Sequence, residues 1–291
     1  NSTESKATPE LTLTLTPELD DAPVPVLSAK PVEELAKSEG DLALDDSMLS
    51  DDEKKMVESF SEQINVRDSA AIMQYGAGAQ KKMADFSESA LERVRTNDLG
   101  EVGDLITGVV NELRGFNATE EKGLFGFFKR GVDKVQSLRT RYDKAEANVN
   151  KIVDQLKDHQ MTLVKDAATL DKMYELNLTY FKELTMYLLA GKKKLAQVRE
   201  GELVELVEHA RATGRAEDAQ AAQDLEAMCT RFEKKLGDLD LTRTIAMQTA
   251  PQIRLVQNNE ITLVEKIQTT IVNTIPLWKS QMVLALGIAN E

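Results

Sequence analysis

The chain has 291 residues, of which 42% are hydrophobic, 29% charged and 5% aromatic, and its formal net charge at pH 7 is −13. This acidity disfavours nucleic acid and anionic lipid as partners, because like charges repel over most of the surface. The single cysteine, Cys229, excludes an internal disulfide, which is typical of a reducing compartment. No apolar run reaches the roughly eighteen residues of a membrane-spanning helix, and the first residues carry no secretory signal. The composition therefore predicts a cytoplasmic protein with no transmembrane segment.

Residues 1–49 are predicted to form a disordered acidic arm. Within residues 1–50, eleven acidic residues stand against three lysines, and five of the seven prolines lie there. Such a segment buries too little apolar surface to offset the entropy lost on ordering. Leu11-Thr-Leu-Thr-Leu15 alternates like a β-strand but has no partner strand, so disorder is favoured over docking on another part of the molecule. The ordered domain is expected to cover residues 50–291.

Three shorter helices are predicted at the start of this domain, over residues 50–75, 79–95 and 99–116. Ser50 can cap the first helix with its hydroxyl, and the three acidic residues after it suit a helix N-terminus. Gly76 and Gly78 are expected to end that helix. Gly100, Gly103 and Gly108 lie in the third helix, and each costs about 1 kcal/mol against alanine, so close packing on a neighbour is expected.

The segment Gly123–Gly131 holds three phenylalanines, Phe125, Phe127 and Phe128, next to basic residues. One interpretation is a wedge that enters a membrane surface. The other is a short amphipathic turn that packs its rings on the end of the bundle. We favour the second, since the surrounding charge is acidic, and peripheral membrane contact is therefore not expected.

The longest predicted helix covers Val132–Leu189, a stretch of 58 residues without proline or glycine. Its apolar residues recur every three to four positions and so form one stripe. Gly191 and the three lysines after it predict a weak point, followed by a short helix over residues 202–212.

A second long helical segment is predicted from Arg215 to the end of the chain, with kinks or restarts at Pro251 and Pro276. Two long segments joined by a turn near residues 200–205 form an antiparallel hairpin. The predicted fold is therefore all-α: an elongated bundle with coiled-coil seams, built on this hairpin, with the shorter N-terminal helices packed on it.

No residue pattern in the sequence predicts catalysis, a cofactor or a metal site. The two histidines, His159 and His209, lack a glutamate three positions earlier, so the Glu-x-x-His motif of di-iron bundles is absent. Cys229 has no local base and falls on an apolar seam, as expected of a small buried hydrophobe. The chain has neither a glycine-rich phosphate loop nor a nucleophile elbow.

The middle of the second long helix is unusually polar for a buried seam. Its heptad positions there include Arg243, Gln257 and Glu260, and the matching seam of the first long helix carries His159 and Asp166. Since a buried charge needs a partner, we predict an interior polar node of His159, Asp166 and Arg243, with an Asp166–Arg243 ion pair. Two alternatives stay open: Pro251 could rotate the seam, or Arg243 could extend to solvent.

From about Asp68 onward the chain resembles the TelA family of toxic anion (tellurite) resistance proteins. The resemblance rests on several short motifs, of which the last two are the most specific: Tyr75-Gly-Ala-Gly-Ala-Gln80, Asp98-Leu-Gly-Glu-Val-Gly103, Gln248-Thr-Ala-Pro-Gln-Ile-Arg-Leu-Val-Gln-Asn-Asn259 and Thr274-Ile-Pro-Leu-Trp-Lys279. It implies a cytoplasmic, mostly helical protein linked to tellurite resistance and related stress, without a known reaction, cofactor or catalytic residue. Family members usually continue with further charged helices, which implies that this chain is truncated at its C-terminus.

The family motifs supply a set of cationic and amide side chains that could bind an oxyanion by charge-assisted hydrogen bonds. Together with Arg243, the candidate binding residues are Gln252, Arg254, Gln257, Asn258 and Lys279. The same motif could equally be a helix-packing code around the proline kink.

We expect a non-enzymatic helical protein that acts in toxic anion resistance through protein partners whose identity the residues do not specify. The alternative is a protein that binds or sequesters an oxyanion directly with the Arg, Lys and amide groups of residues 243–279. A reductase would need a redox cysteine pair or a cofactor motif, and the sequence has neither. Whether the chain forms a homo-oligomer stays open.

Overall fold

The computed structural model describes residues 13, 14, 44, 46–97, 99–127 and 133–288, without the side chains of residues 115–127, 133–135, 285 and 288. Within these residues the secondary structure is helical and contains no β-strand, which confirms the all-α prediction. Most of the predicted acidic arm lies outside the described residues. So do the side chains of the three phenylalanines in Gly123–Gly131.

Three short helices come first: α1 Asp51–Gln63, α2 Ser69–Met73 and α3 Ala77–Thr96. The predicted cap is confirmed, since the Ser50 hydroxyl accepts from the Glu53 N–H at 3.2 Å and the Glu53 carboxylate accepts from the Ser50 N–H at 2.9 Å. The single helix predicted over residues 50–75 is wrong. Ile64 and Val66 are both buried, and only an extended backbone sends alternate side chains to one side.

The longer helices follow: α4 Gly100–Phe127, α5 Asp133–Glu200, α6 Glu202–Thr213, α7 Ala216–Thr269, a π-helical turn Thr270–Thr274, and α8 Ile275–Ile288. α5 runs through Gly191 without interruption, so the predicted weak point there is wrong. α6 confirms the predicted short helix and ends at Gly214, whose φ of +62° is the left-handed conformation that favours glycine.

The two prolines of the second long segment have different effects. Pro251 lies inside α7, which continues past it. Pro276 lacks the N–H that would complete an ordinary helical turn, and the π-helical turn precedes it. There the Ile275 N–H donates to the carbonyl of Thr270, five residues back.

The described residues fall into two compact units, one within residues 1–93 and 173–253, the other within residues 94–172 and 254–291. In the first unit, α5 and α7 pair antiparallel: Arg199 contacts Glu233 and Thr185 contacts Arg243. The second unit repeats the arrangement, with Asp171 beside Arg254 and Glu146 near Lys279. The predicted antiparallel hairpin is confirmed in each unit.

An aromatic cluster fills the core of the first unit. Tyr75 meets both Tyr187 and Phe232 edge to face, with ring centroids 5.5 and 5.0 Å apart, and Phe60 meets Tyr187 in the same way at 5.6 Å. The core of the second unit includes the rings of Tyr142 and Trp278, 5.3 Å apart. Each unit thus has its own hydrophobic core.

Gly191 allows α5 and α7 to approach closely in the first unit. A Cβ placed on Gly191 would lie 2.5 Å from a methyl group of Leu236 and 3.1 Å from the Phe232 ring. In contrast, a Cβ on Gly237 of α7 would meet nothing within 4 Å. The helix continues through Gly191 because packing, rather than local propensity, decides its conformation there.

Gly191→Leu is expected to lower the free energy of unfolding by about 1–3 kcal/mol, the usual cost of overpacking a filled interface. The control, Gly237→Ala, should raise it by about 0.5–1 kcal/mol, since alanine is the better helix former and has room. Urea unfolding followed by circular dichroism measures both values. Wild-type stability of Gly191→Leu would show that the close approach does not exist.

Candidate functional site

Arg243 is the most buried cation of the predicted site, with only 5% of its surface exposed. Its Nε donates to the Thr185 hydroxyl at 3.1 Å, and its guanidinium carbon lies 4.7 Å from the centroid of the Phe181 ring. Asp240 of the same helix is 3.8 Å away. The alternative in which Arg243 extends to solvent is therefore wrong: the guanidinium is held between a hydroxyl and an aromatic face.

The Thr185 hydroxyl is fixed by a second bond, since it donates to the Phe181 carbonyl at 2.9 Å. It therefore points its free lone pairs towards Arg243. Nearby, the Asn177 amide of α5 donates to the Ala246 carbonyl at 2.9 Å. Both contacts join α5 to α7 through polar groups that are almost completely buried.

Small polar residues join α3 to α7 in the same unit, which the sequence analysis missed. Gln80 donates to the Thr242 hydroxyl at 3.2 Å, and the Ser87 and Thr249 hydroxyls are 3.3 Å apart. In both helices the paired residues are seven positions apart, which is two helical turns. That shared spacing is the signal that could have revealed them.

Glu183 is a buried carboxylate of the first unit, 3.5 Å from the half-exposed ammonium of Lys82. Burial raises the pKa of Glu183, although the nearby Lys82 opposes the shift. The protonated, neutral form is therefore favoured by folding.

The second unit contains a separate polar cluster on α7, formed by family-motif residues. Arg254 donates to the Asp171 carboxylate at 2.8 Å and to the Gln257 side-chain carbonyl at 2.5 Å. The Gln257 amide donates to the Ala167 carbonyl of α5 at 3.0 Å. One turn further on, Asn97 donates to the buried carboxylate of Glu260 at 3.2 Å. The bonds to Asp171 and Ala167 join α7 to α5, and the Asn97 bond joins α7 to the segment between α3 and α4.

The structure does not bring Arg254 and Lys279 together as one cationic site. Lys279 contacts Asn150 at 3.1 Å and lies 3.8 Å from Glu146. Those residues are about six to seven turns of α5 from Asp171, the partner of Arg254. Of the remaining candidates, Gln252 and Asn258 are exposed.

The residues of the predicted interior node are divided between the two units. His159 and Asp166 belong to the second unit, where His159 lies 3.6 Å from Glu101. Arg243 belongs to the first unit, where the hairpin sets it opposite Thr185. The prediction had set Arg243 opposite Asp166, because it placed the turn near residues 200–205, where α6 is inserted. The Asp166–Arg243 ion pair itself stays a prediction.

Two further findings concern chemistry. Among the described residues, no group of three or more His, Cys, Asp and Glu side chains is arranged to hold a metal ion. Cys229 is buried, and burial raises the pKa of its thiol, so the reactive thiolate is disfavoured.

In the part of the chain that the structure describes, no helix combines the length and apolarity needed to cross a membrane.

Comparison with known proteins gives a consistent result. The sequence profile of the family described as "Toxic anion resistance protein (TelA)" matches residues 57–291. The chain is 36% identical over 267 residues to a TelA-like protein of Staphylococcus saprophyticus, covering 90% of this chain and 71% of the relative. It is 37% identical over 255 residues to one of Staphylococcus haemolyticus, covering 85% and 66%. The chain thus spans about two thirds of the length of these relatives, and no solved structure matches it.

Arg243→Lys is expected to lower the free energy of unfolding by about 1.5–3 kcal/mol, because lysine cannot reproduce the Nε hydrogen bond or stack flat on Phe181. Thr185→Val removes the acceptor while keeping the shape. If the two residues act through one contact, the double variant loses less than the sum of the single losses. Strictly additive losses in denaturant titrations would contradict the pairing.

Glu183→Gln is expected to gain stability over the wild type as pH rises above 4.5, the ordinary pKa of a glutamate. The folded pKa of Glu183 lies above its unfolded value, so its favourable contribution is complete below the unfolded pKa and is lost as pH rises through the folded pKa. Thermal unfolding across this range measures the difference. Glu58, whose pKa a hydrogen bond from Lys193 lowers, is the control: its contribution is already complete above the unfolded pKa, so the difference between Glu58→Gln and the wild type should stay constant over this range.

Proposed function

Because the chain belongs to the toxic anion resistance (TelA) family, we propose that it contributes to resistance against anions such as tellurite by binding protein partners in the cytoplasm, without catalysis. The non-enzymatic part of the proposal rests on the sequence, which has neither a redox cysteine pair nor a cofactor motif. The partner part rests on one observation, the outer surface of α8.

The α8 outer face consists of Leu277, Val283 and Leu284, whose exposed fractions are 61, 62 and 63%. The opposite side of α8 packs into the core of the second unit through Ile275, Trp278 and Met282. Single exposed hydrophobic residues are ordinary, but three within eight residues of one short helix make a patch. Such a patch suits a partner that supplies an apolar helix or groove.

Direct oxyanion binding is the weaker alternative, because the candidate cations already face carboxylates. Arg254 bonds to Asp171, and Lys279 lies near Glu146. An incoming anion would have to displace or compete with these negative groups, and no second cation accompanies either residue in the contacts described above.

Leu277→Asp with Leu284→Asp is expected to reduce tellurite resistance severalfold in cells that depend on this chain, because charges on the α8 outer face prevent apolar docking. The readout is survival on a tellurite series at matched protein levels, with circular dichroism to confirm the fold. Met73→Asp is the control, since Met73 is 69% exposed on α2 of the other unit. Undiminished resistance of the double variant would remove the α8 outer face from the proposal.

Titration calorimetry with tellurite distinguishes the alternative. The partner proposal expects no binding heat at millimolar tellurite. Binding heat that Arg254→Ala abolishes, and that Arg231→Ala on the exposed side of the same helix leaves intact, would favour the oxyanion protein instead.

A further inference from the structure

Leu13 and Thr14 of the predicted acidic arm lie on the first unit. The Tyr187 hydroxyl of α5 accepts a hydrogen bond from the Thr14 N–H at 2.8 Å and donates one to the Thr14 carbonyl at 3.3 Å. Leu13 packs against the hydrophobic core of this unit. The sequence analysis favoured disorder for this segment, and at residues 13 and 14 that expectation is wrong.

The Tyr187 ring is held by core contacts that do not involve the arm. The Tyr187 ring stands edge to face against both Phe60 and Tyr75, at interplanar angles of 89 and 88°. The Tyr75 hydroxyl also donates to the Tyr187 backbone carbonyl at 2.6 Å. The acceptor and donor that meet Thr14 are therefore preorganised, which lowers the entropic cost of binding a segment there.

The chemistry of the contact selects for a kind of segment. Both hydrogen bonds of the Tyr187 hydroxyl go to backbone atoms of one residue, so they require an N–H and exclude proline at that position. The residue before it must be apolar, because Leu13 meets the core. Burial raises the pKa of Tyr187, so at neutral pH its hydroxyl stays protonated and can both donate and accept.

We propose that the surface around Tyr187 is a docking site for an extended peptide of alternating apolar and threonine residues, held in this chain by its own Leu13–Thr14. The chain's own Leu13–Thr14 is the ligand, bound in cis as a tethered competitor. A tethered segment competes intramolecularly, so a free peptide of the same sequence is excluded until the tethered one is weakened.

The test uses the full chain and a fluorescent peptide with the sequence of residues 9–18, measured by polarisation. Thr14→Pro removes the N–H that Tyr187 accepts from and should bind the peptide at least tenfold more tightly than the wild type. Thr14→Ala keeps that N–H and should stay close to the wild type. Adding Tyr187→Phe to Thr14→Pro should abolish the gain, with thermal unfolding to confirm that the core is intact.

Equal peptide affinity of the wild type and Thr14→Pro would overturn the proposal. So would the absence of binding to either protein at about 1 mM peptide, which is about the effective concentration of a tethered segment. The proposal would also be overturned if the double variant with Thr14→Pro and Tyr187→Phe bound the peptide as tightly as Thr14→Pro alone. Sedimentation of the wild type tests the commitment to a tethered ligand: a monomer is expected, and a dimer that Thr14→Pro dissociates would show exchange between two copies instead.

Discussion

Antiparallel pairing of α5 with α7 is the constraint on which both units depend. A stripe of leucine, isoleucine and valine along two long helices would allow them to slide past each other by one heptad at small cost. The buried contacts of Arg243 with Thr185 and of Gln257 with Ala167 each tie a polar side chain of α7 to one position of α5. Such polar contacts add little net stability, but they penalise every other register because a buried group would lose its partner.

The family motif acquires a physical meaning from these contacts. Within Gln248–Asn259, Gln257 binds a backbone carbonyl of α5 and Arg254 binds a carboxylate of α5, both in the second unit. In the first unit, the Thr249 hydroxyl contacts the Ser87 hydroxyl of α3. Several motif residues are thus helix-to-helix contacts, which supports the packing interpretation over a ligand site. The likeness to proteins of toxic anion resistance then lies partly in how the helices are held in register.

Much of the fold could be predicted because helix formation in this chain is governed by local patterns. The short helix α6 ends at Gly214, which adopts a left-handed conformation, and Ser50 caps α1 through Glu53, three residues away. Ile64 and Val66 break the first helix because a core formed by distant residues buries both. The partner of Arg243 depends on where α6 is inserted, and no single-helix pattern encodes that length.

The π-helical turn before Pro276 determines which side of α8 faces the core and which side is exposed. The buried positions step from Ile267 to Thr270 and then by five residues to Ile275, before continuing to Trp278 and Met282. One additional residue in a turn rotates everything after it by about 100°. Without it, Thr274 would take the place of Ile275 in the core. The one additional residue of the π-helical turn therefore determines which apolar side chains of α8 lie in the core and which lie on the surface.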